Sequence, residues 1–303
     1  MKKKTKVTVI GSVAFDSVET ARGSRANVLG GSAVFAALSA SFFAPVNLIS
    51  VVGTDFPEKY FQMFKKRGVD TSGLTRKKGK TFRWKGKYDS DLTHRKTLSV
   101  DLNVFNGFRP EIPANVSSED YLLLANIDPE LQDWIFKRIK PAGLVACDTM
   151  DLWINTKRRA LLKLLKKVDL LLLNDEEARQ LSGEFNLLKA AQSIASRGVR
   201  TVVIKKGEHG ALLFSKGLSF IVPPFLIHDV KDPTGAGDTF AGGMIGYLSG
   251  KRTITDRDLR SALVYGSILA SYAVEKFSVD GLVDISRRDI DGRYKCLGRI
   301  TRF

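Results

Sequence analysis

Short apolar runs alternate with amphipathic stretches through most of this chain, and that alternation restricts its fold more than any other feature. Val46 to Val52, Tyr121 to Ala125, Leu144 to Asp148, Asp169 to Leu173 and Thr201 to Lys205 are nearly continuous in apolar residues. Such runs read as strands buried on both faces. Pro57 to Arg67, Pro129 to Ile139 and Asn155 to Lys167 lie between or beside them and carry apolar residues at helical spacing. The pattern predicts an α/β fold with a mostly parallel central sheet covered on both faces. Asp148, Asn174 and Lys205 close three of the runs. Open sheets of this kind bind ligands at the carboxyl ends of their strands, so these polar residues are candidates for one cleft.

One region breaks the alternation. Across Thr81–Tyr88 and Lys96–Leu102, aromatic or aliphatic residues alternate with charged ones, as in half-exposed antiparallel strands. This predicts a small sheet projecting from the main body, with one face in need of cover by substrate closure or by a second subunit. Arg83, Lys85, Lys87, Arg95 and Lys96 make that sheet basic. They could meet a phosphate on the substrate or simply keep an exposed face soluble.

The stretch from Lys231 to Gly243 carries the chemistry. Gly235-Ala236-Gly237 is a turn of small residues that can bring backbone N–H groups close to an anion. Asp238 follows where a helix should begin, to run from Gly237 to about Leu248. A helix start offers unpaired N–H groups and a positive dipole end, which suit a phosphate. An acid there is electrostatically awkward unless it takes a proton from an attacking hydroxyl, although it could also only cap the helix. Gly242, Gly243 and Gly246 predict close packing of this helix against the sheet or a ligand. A second helix from about Asp256 to Glu275 has small residues at Gly266, Ser267, Ala270 and Ala273, which make room for a flat ring or let helices approach.

Composition narrows the function only loosely. A chain of 303 residues can form one large domain or a domain with a small subdomain. The net charge of +16 permits a nucleic-acid partner, but it suits phosphorylated substrates equally well. A nucleic-acid binder should show a basic stripe interleaved with stacking aromatics, and only Arg83 to Lys96 comes near that. Lys2-Lys3-Lys4 reads as a solvated end. Cys147 lies in an apolar run and is far from Cys296, which excludes a disulfide scaffold or a zinc site of cysteine pairs. No run reaches the length of a membrane span and no signal-peptide core is visible, so a cytoplasmic protein is expected. His94, His209 and His228 are isolated. Gly79-Lys80-Thr81 lacks the earlier glycine of a Walker loop, because position 74 is Leu74. Gly235-x-Gly237 fails as a dinucleotide fingerprint because Phe240 occupies the third glycine position.

Taken together, the chain resembles the ribokinase/pfkB family of carbohydrate and nucleoside kinases over essentially its whole length. Asp232-Pro233-Thr234-Gly235-Ala236-Gly237-Asp238 is similar to the family signature. Gly11 to Asp16 resembles the strand carrying its substrate-binding aspartate, and Gly30-Gly31-Ser32-Ala33 its di-glycine turn. Val52-Gly53-Thr54-Asp55 resembles the family's Val-Gly-x-Asp, Asn174 to Glu177 its Asn-x-x-Glu element, and Lys205 to Gly210 its nucleotide-contacting loop. The resemblance implies a ribokinase-like three-layer α/β/α domain over 1–303, with a small antiparallel β lid from about 12–28 and 80–108. It implies ATP-dependent phosphorylation of a hydroxymethyl group on a sugar, polyol or nucleoside.

In that reading Asp238 is the base, and the N–H groups of Gly235, Ala236 and Gly237 hold the phosphoryl oxygens. Asp16, Gly30, Gly31 and position 35 face the acceptor. Asn174, Glu177, Lys205, Gly207, Gly210 and Asp232 serve the nucleotide, with Asn174 and Glu177 holding Mg²⁺ through water. From the residues alone, Asn174 and Glu177 could equally be a helix cap with a first-turn acid, and Lys205 a snorkelling strand end. Two departures stand out. Phe35 replaces the usual sugar-contacting asparagine, which favours an acceptor with fewer hydroxyls or with a base or ring. Pro233 stands where the family has threonine or serine, which leaves a K⁺ requirement open. Lid-mediated homodimers are frequent in the family, so one is expected here.

Overall fold

The computed structural model describes residues 5–302, so the Lys2-Lys3-Lys4 run lies outside the described residues. The first half of the chain forms β1 (Val7–Ile10), β2 (Ala14–Thr20), β3 (Gly23–Gly30), α1 (Ser32–Ala40), β4 (Val46–Gly53), α2 (Glu58–Lys66), β5 (Val69–Lys77), β6 (Phe82–Tyr88) and β7 (Arg95–Asp101). Then come β8 (Tyr121–Leu124), α3 (Pro129–Ile139), β9 (Val145–Asp148), α4 (Asp151–Thr156), α5 (Arg158–Leu165), β10 (Leu170–Asn174), α6 (Asp175–Ser182), α7 (Leu187–Ala195) and β11 (Thr201–Lys205). The chain ends with β12 (Ala211–Ser215), β13 (Leu218–Val222), α8 (Ala236–Ser249), α9 (Asp256–Ala273), α10 (Asp280–Val283) and α11 (Arg287–Ile300).

Nine strands make the main sheet, in the order β13-β12-β11-β10-β9-β8-β1-β4-β5. Pairing is parallel from β11 to β5 and antiparallel from β11 to β13. Period-two alternation sends neighbouring side chains of one strand into different cores. Leu170, Leu172 and Val203 join one apolar cluster with residues of α1, α8 and α9. Leu171, Leu173, Val202 and Ile204 join a second with residues of α3, α5, α6 and α7. Two cores on opposite faces of one sheet define the three-layer α/β/α arrangement. No helix among the described residues is long and apolar enough to cross a membrane.

The helix expected over Asn155–Lys167 is instead two, broken at Lys157 with φ −130° and ψ 27°. Lys157 reaches back to Asp128 at 3.0 Å and to Glu130, and these contacts hold the break at the mouth of α3. The second sheet has the order β3-β2-β6-β7. It is two antiparallel hairpins joined by a parallel β2–β6 contact in the register Ala14↔Phe82. The outer strand β7 is exposed along its whole length.

Glycines decide how α8 packs. A Cβ at Gly242 would lie 2.1 Å from the Ala36 carbonyl oxygen, and one at Gly246 2.8 Å from the Ala40 Cα. A Cβ at Gly266 would lie 2.9 Å from the Phe240 carbonyl oxygen. The small residues thus serve helix–helix approach: α8 sits against α1 and α9, rather than lying with its glycines on the sheet or on a ligand. Gly242→Ala should therefore destabilise by about 1–3 kcal/mol, as overpacking does. Gly292 is exposed in α11 with nothing within 4 Å of a Cβ, so Gly292→Ala should stabilise by about 0.5–1 kcal/mol. Denaturant unfolding of the two variants checks both signs.

Candidate active site

The strands β9, β10 and β11 are neighbours, so Asp148, Asn174 and Lys205 arrive side by side at their carboxyl ends. The Lys205 Nζ lies 3.1 and 3.0 Å from the two Asp148 carboxylate oxygens, with both side chains largely buried. A Cβ at Gly237 would be only 3.0 Å from that same Nζ. The ammonium therefore sits directly under the first turn of α8, and Lys205 is not a snorkelling strand end.

Gly235 has φ +77°, in the left-handed region, and a Cβ there would lie 2.4 Å from the Phe35 ring. Both facts require glycine. Phe35 is 1% exposed. It is the floor beneath the turn and presents almost no surface to an acceptor, which corrects the expectation of a substrate-facing side chain at that position. The Ala236 N–H donates to the Pro233 carbonyl at 3.2 Å. The N–H groups of Gly235 and Gly237 have no backbone acceptor among the described residues. The turn thus offers two free donors beside one that is already engaged.

Asp238 stands in the first turn of α8. Burial, then repulsion from Asp148, raise its carboxyl to about 7, with Lys205 and Arg95 pulling the other way. Asp16, on β2, is also buried. Desolvation, with Asp232 and Asp238 adding to it, raises it to about 7 against the Gly31 N–H that favours its charged form. A Cβ at Gly30 would lie 1.9 Å from the Asp16 carboxylate, and Gly31 has φ +96° with its Cβ position 2.5 Å from the Ser12 carbonyl. The di-glycine is therefore what lets Asp16 fold back over β3 into the cleft.

Asn174 and Glu177 form a reciprocal capping box at the start of α6. The Glu177 N–H donates to the Asn174 side-chain Oδ1 at 2.7 Å, and the Asn174 N–H donates to Glu177 Oε2 at 2.8 Å. Glu177 is buried and raised to about 7, chiefly by desolvation, with the field of Lys205 opposing. Its second oxygen is not used by the cap, so capping leaves a carboxylate oxygen for the cleft.

Other expected site residues have structural work of their own. Asp232 is buried and accepts from the Thr234 N–H at 2.9 Å and the Ser278 N–H at 3.4 Å. It fastens the signature loop to the segment after α9, and its charge also acts on Asp16. Gly210 has φ +79° and its Cβ position is 2.0 Å from the Val222 carbonyl, so it is a packing glycine of the β11–β12 turn. Gly207 has φ +52° with open space around it.

The four-stranded second sheet is anchored from both sides. Asp55 accepts from the Thr81 N–H at 2.8 Å, the Thr81 hydroxyl at 2.6 Å and Arg83 at 3.0 Å. Thr234, in the signature loop, donates to the Tyr88 hydroxyl at 3.2 Å. Thr20 on β2 donates to the Lys231 carbonyl at 2.9 Å. The contacts of Asp148, Asp55 and Tyr88 do not follow from the sequence. Strand-end position marks Asp148 and a motif marks Asp55, but no local pattern pairs either with its partner. Arg83 and Lys87 bond Asp55 and Glu19, so these two lid cations are partnered within the fold.

A buried acid at a helix start follows a donor-bearing turn, and a second buried acid, Asp16, is near enough to act on its charge. Residues 4–284 match the profile of the pfkB family carbohydrate kinases, and the chain belongs to that family. It is a phosphotransferase with an alcohol acceptor. It is 32% identical over 256 residues to the cytidine kinase of Thermococcus kodakarensis, covering 81% of this chain and 89% of that one. Among solved structures, the nucleoside kinase of Methanocaldococcus jannaschii superposes with a TM-score of 0.75 at 20% identity, over 97% of this chain and 99% of that one. The aminoimidazole riboside kinase of Salmonella enterica, solved with aminoimidazole riboside and an ATP analogue, gives 0.72 at 20% identity over 95% and 99%. Both show the ribokinase-like fold for this chain.

The site carries a stability cost with a defined pH sign. Asp238 titrates near 7 folded against an ordinary 3.8, so the folded state holds a proton that the unfolded chain releases. Its contribution to stability therefore falls as pH rises from about 4 through about 7 and is level above. Asp238→Asn should raise the melting temperature at pH 8 by about 2 °C or more, and the gain should shrink as pH is lowered toward 4. Thermal scans across pH check this.

Proposed function

We propose that this chain is an ATP-dependent kinase that transfers the γ-phosphate to the hydroxymethyl group of a nucleoside, with a free sugar or polyol as the alternative acceptor. The observation that carries the reaction is Asp238: a buried carboxyl raised to about 7, directly after a turn with two unengaged N–H donors. The choice of a nucleoside is supported by the likeness to a cytidine kinase over 81% of the chain.

Asp238 accepts the proton of the acceptor hydroxymethyl as the hydroxymethyl oxygen attacks the γ-phosphorus, the bond from that phosphorus to the β–γ bridging oxygen breaks, and ADP leaves. A base poised near neutral pH suits that proton transfer. The Gly235 and Gly237 N–H groups hold the phosphoryl oxygens, with the helix dipole behind them. Asp16, opposite, accepts from acceptor hydroxyls and fixes which one faces Asp238. Lys205, held by Asp148, keeps positive charge beneath the turn. The free Glu177 oxygen and Asn174 fit a hard cation bound through water. Magnesium there would neutralise nucleotide phosphates and relieve the repulsion among Asp148, Glu177 and Asp238. A homodimer through the lid belongs to the same proposal, because Leu98, Val100 and Leu102 leave an apolar strip of the lid sheet 42–51% exposed.

Phosphate transfer from ATP should be tested across cytidine, other nucleosides, ribose, fructose and inositol, with and without K⁺. Nucleosides are expected to give the highest kcat/KM, and a preference for ribose or fructose would move the proposal to the sugar reading. Asp238→Asn should lower kcat by about 10²–10⁴-fold while the fold is retained. In the parent enzyme kcat/KM should rise with pH through about 7 and then level, because only the deprotonated carboxylate can act as base. Full turnover by the Asn variant would remove the assignment.

A further inference from the structure

Arg95 is a lid cation that the fold leaves without an acidic partner. It begins β7, directly opposite Tyr88 on β6, and Tyr88 is the residue tied to Thr234 of the signature loop at 3.2 Å. On its other side the preceding residue, His94, has its Nε2 3.8 Å from Glu176 Oε1 in the first turn of α6. The hairpin therefore spans the cleft from the acceptor side to the nucleotide side, and Arg95 lies between those two contacts. Its guanidinium stacks 5.3 Å from the Trp84 ring centroid, and among the described residues it makes no ion pair. It nonetheless acts on the acids of the cleft, favouring the charged forms of both Asp16 and Asp238.

The charges acting on Asp238 come from four elements: Asp16 on β2, Arg95 on β7, Asp148 on β9 and Lys205 on β11. Lys205 is committed to Asp148. The cleft thus holds more carboxylates than cations even before a nucleotide adds its phosphates. A planar guanidinium with several fixed donors matches phosphoryl oxygens.

We propose that Arg95 is a further catalytic residue, delivered by the lid, whose guanidinium contacts the phosphoryl group during its transfer between the nucleotide and the acceptor held by Asp16 and Asp238. The proposal rests on the kinase reading above. It makes lid closure and charge neutralisation one event: the hairpin that excludes water also carries the cation.

The test uses the full chain with MgATP and cytidine. Arg95→Ala should lower kcat by about 10²-fold, the scale for losing one transition-state donor, with little change in the KM for ATP. Arg95→Lys should recover part of the loss. The acid limb of the kcat profile should move to higher pH in Arg95→Ala, because the remaining charged neighbours of Asp238 are Asp16, Asp148 and Lys205. Inhibition by ADP with aluminium fluoride, a mimic of the planar phosphoryl group, should weaken in Arg95→Ala while binding of ADP alone does not. A kcat within twofold of the parent, or a change confined to the KM for cytidine, would overturn the proposal. Asp238→Asn separates the two ideas: its inactivity beside a fully active Arg95→Ala leaves the kinase reading standing and removes only this one.

Discussion

The close seating of α8 between α1 and α9 is the constraint on which the rest of the site depends. The helix can approach α1 only because Gly242 and Gly246 have no side chains against Ala36 and Ala40. That approach places the N-terminus of α8 over the carboxyl ends of β9, β10 and β11. Its first turn then comes down beside the Lys205 ammonium, and Gly235 comes to rest on the Phe35 ring. Interiors of this density do not yield continuously. A larger residue at any of these contacts would displace the donors and the acid together.

Electrostatics give the cleft its reactivity at some cost to folding. Asp16, Glu177 and Asp238 each reach about 7, with desolvation the largest cause in every case. Buried carboxyls so close together cannot all ionise comfortably, and only the Lys205–Asp148 pair is internally balanced. Such an arrangement persists when an incoming ligand supplies the missing positive charge and hydrogen bonds. The site is therefore less stable alone than in use, as expected of catalytic constellations.

The lid shares its anchors with the chemistry. Asp55 gathers Thr81 and Arg83 at the root of β6, while Tyr88 at the other end of the same strand meets Thr234. Strand β6 is thus fastened at its root and sensitive at its tip to the signature loop. A hinge of fixed hydrogen bonds with a polar contact near the reacting centre is a means of linking closure to assembly of the site.

Much of this was legible in the chain because it is local. Runs such as Leu170–Leu173 and Val202–Ile204 are apolar at every position, which requires burial on both faces of a strand. Gly235-Ala236-Gly237-Asp238 places backbone donors and a carboxyl within one turn of each other, so that arrangement follows from adjacency alone. The capping geometry of Asn174 and Glu177 was one of two readings open at a spacing of three. What tertiary structure decided were partnerships between distant residues. Lys205 found Asp148, 57 positions away. Asp232 accepts from the Ser278 N–H, 46 positions away. Phe35 went under Gly235, and Tyr88 reached Thr234 over 146 positions. By itself the sequence determined the layers, the strand ends and the acid that follows the small-residue turn. Which charge faces which acid was settled only by packing, because burial and distance set those interactions and neither is a property of neighbouring residues in the chain.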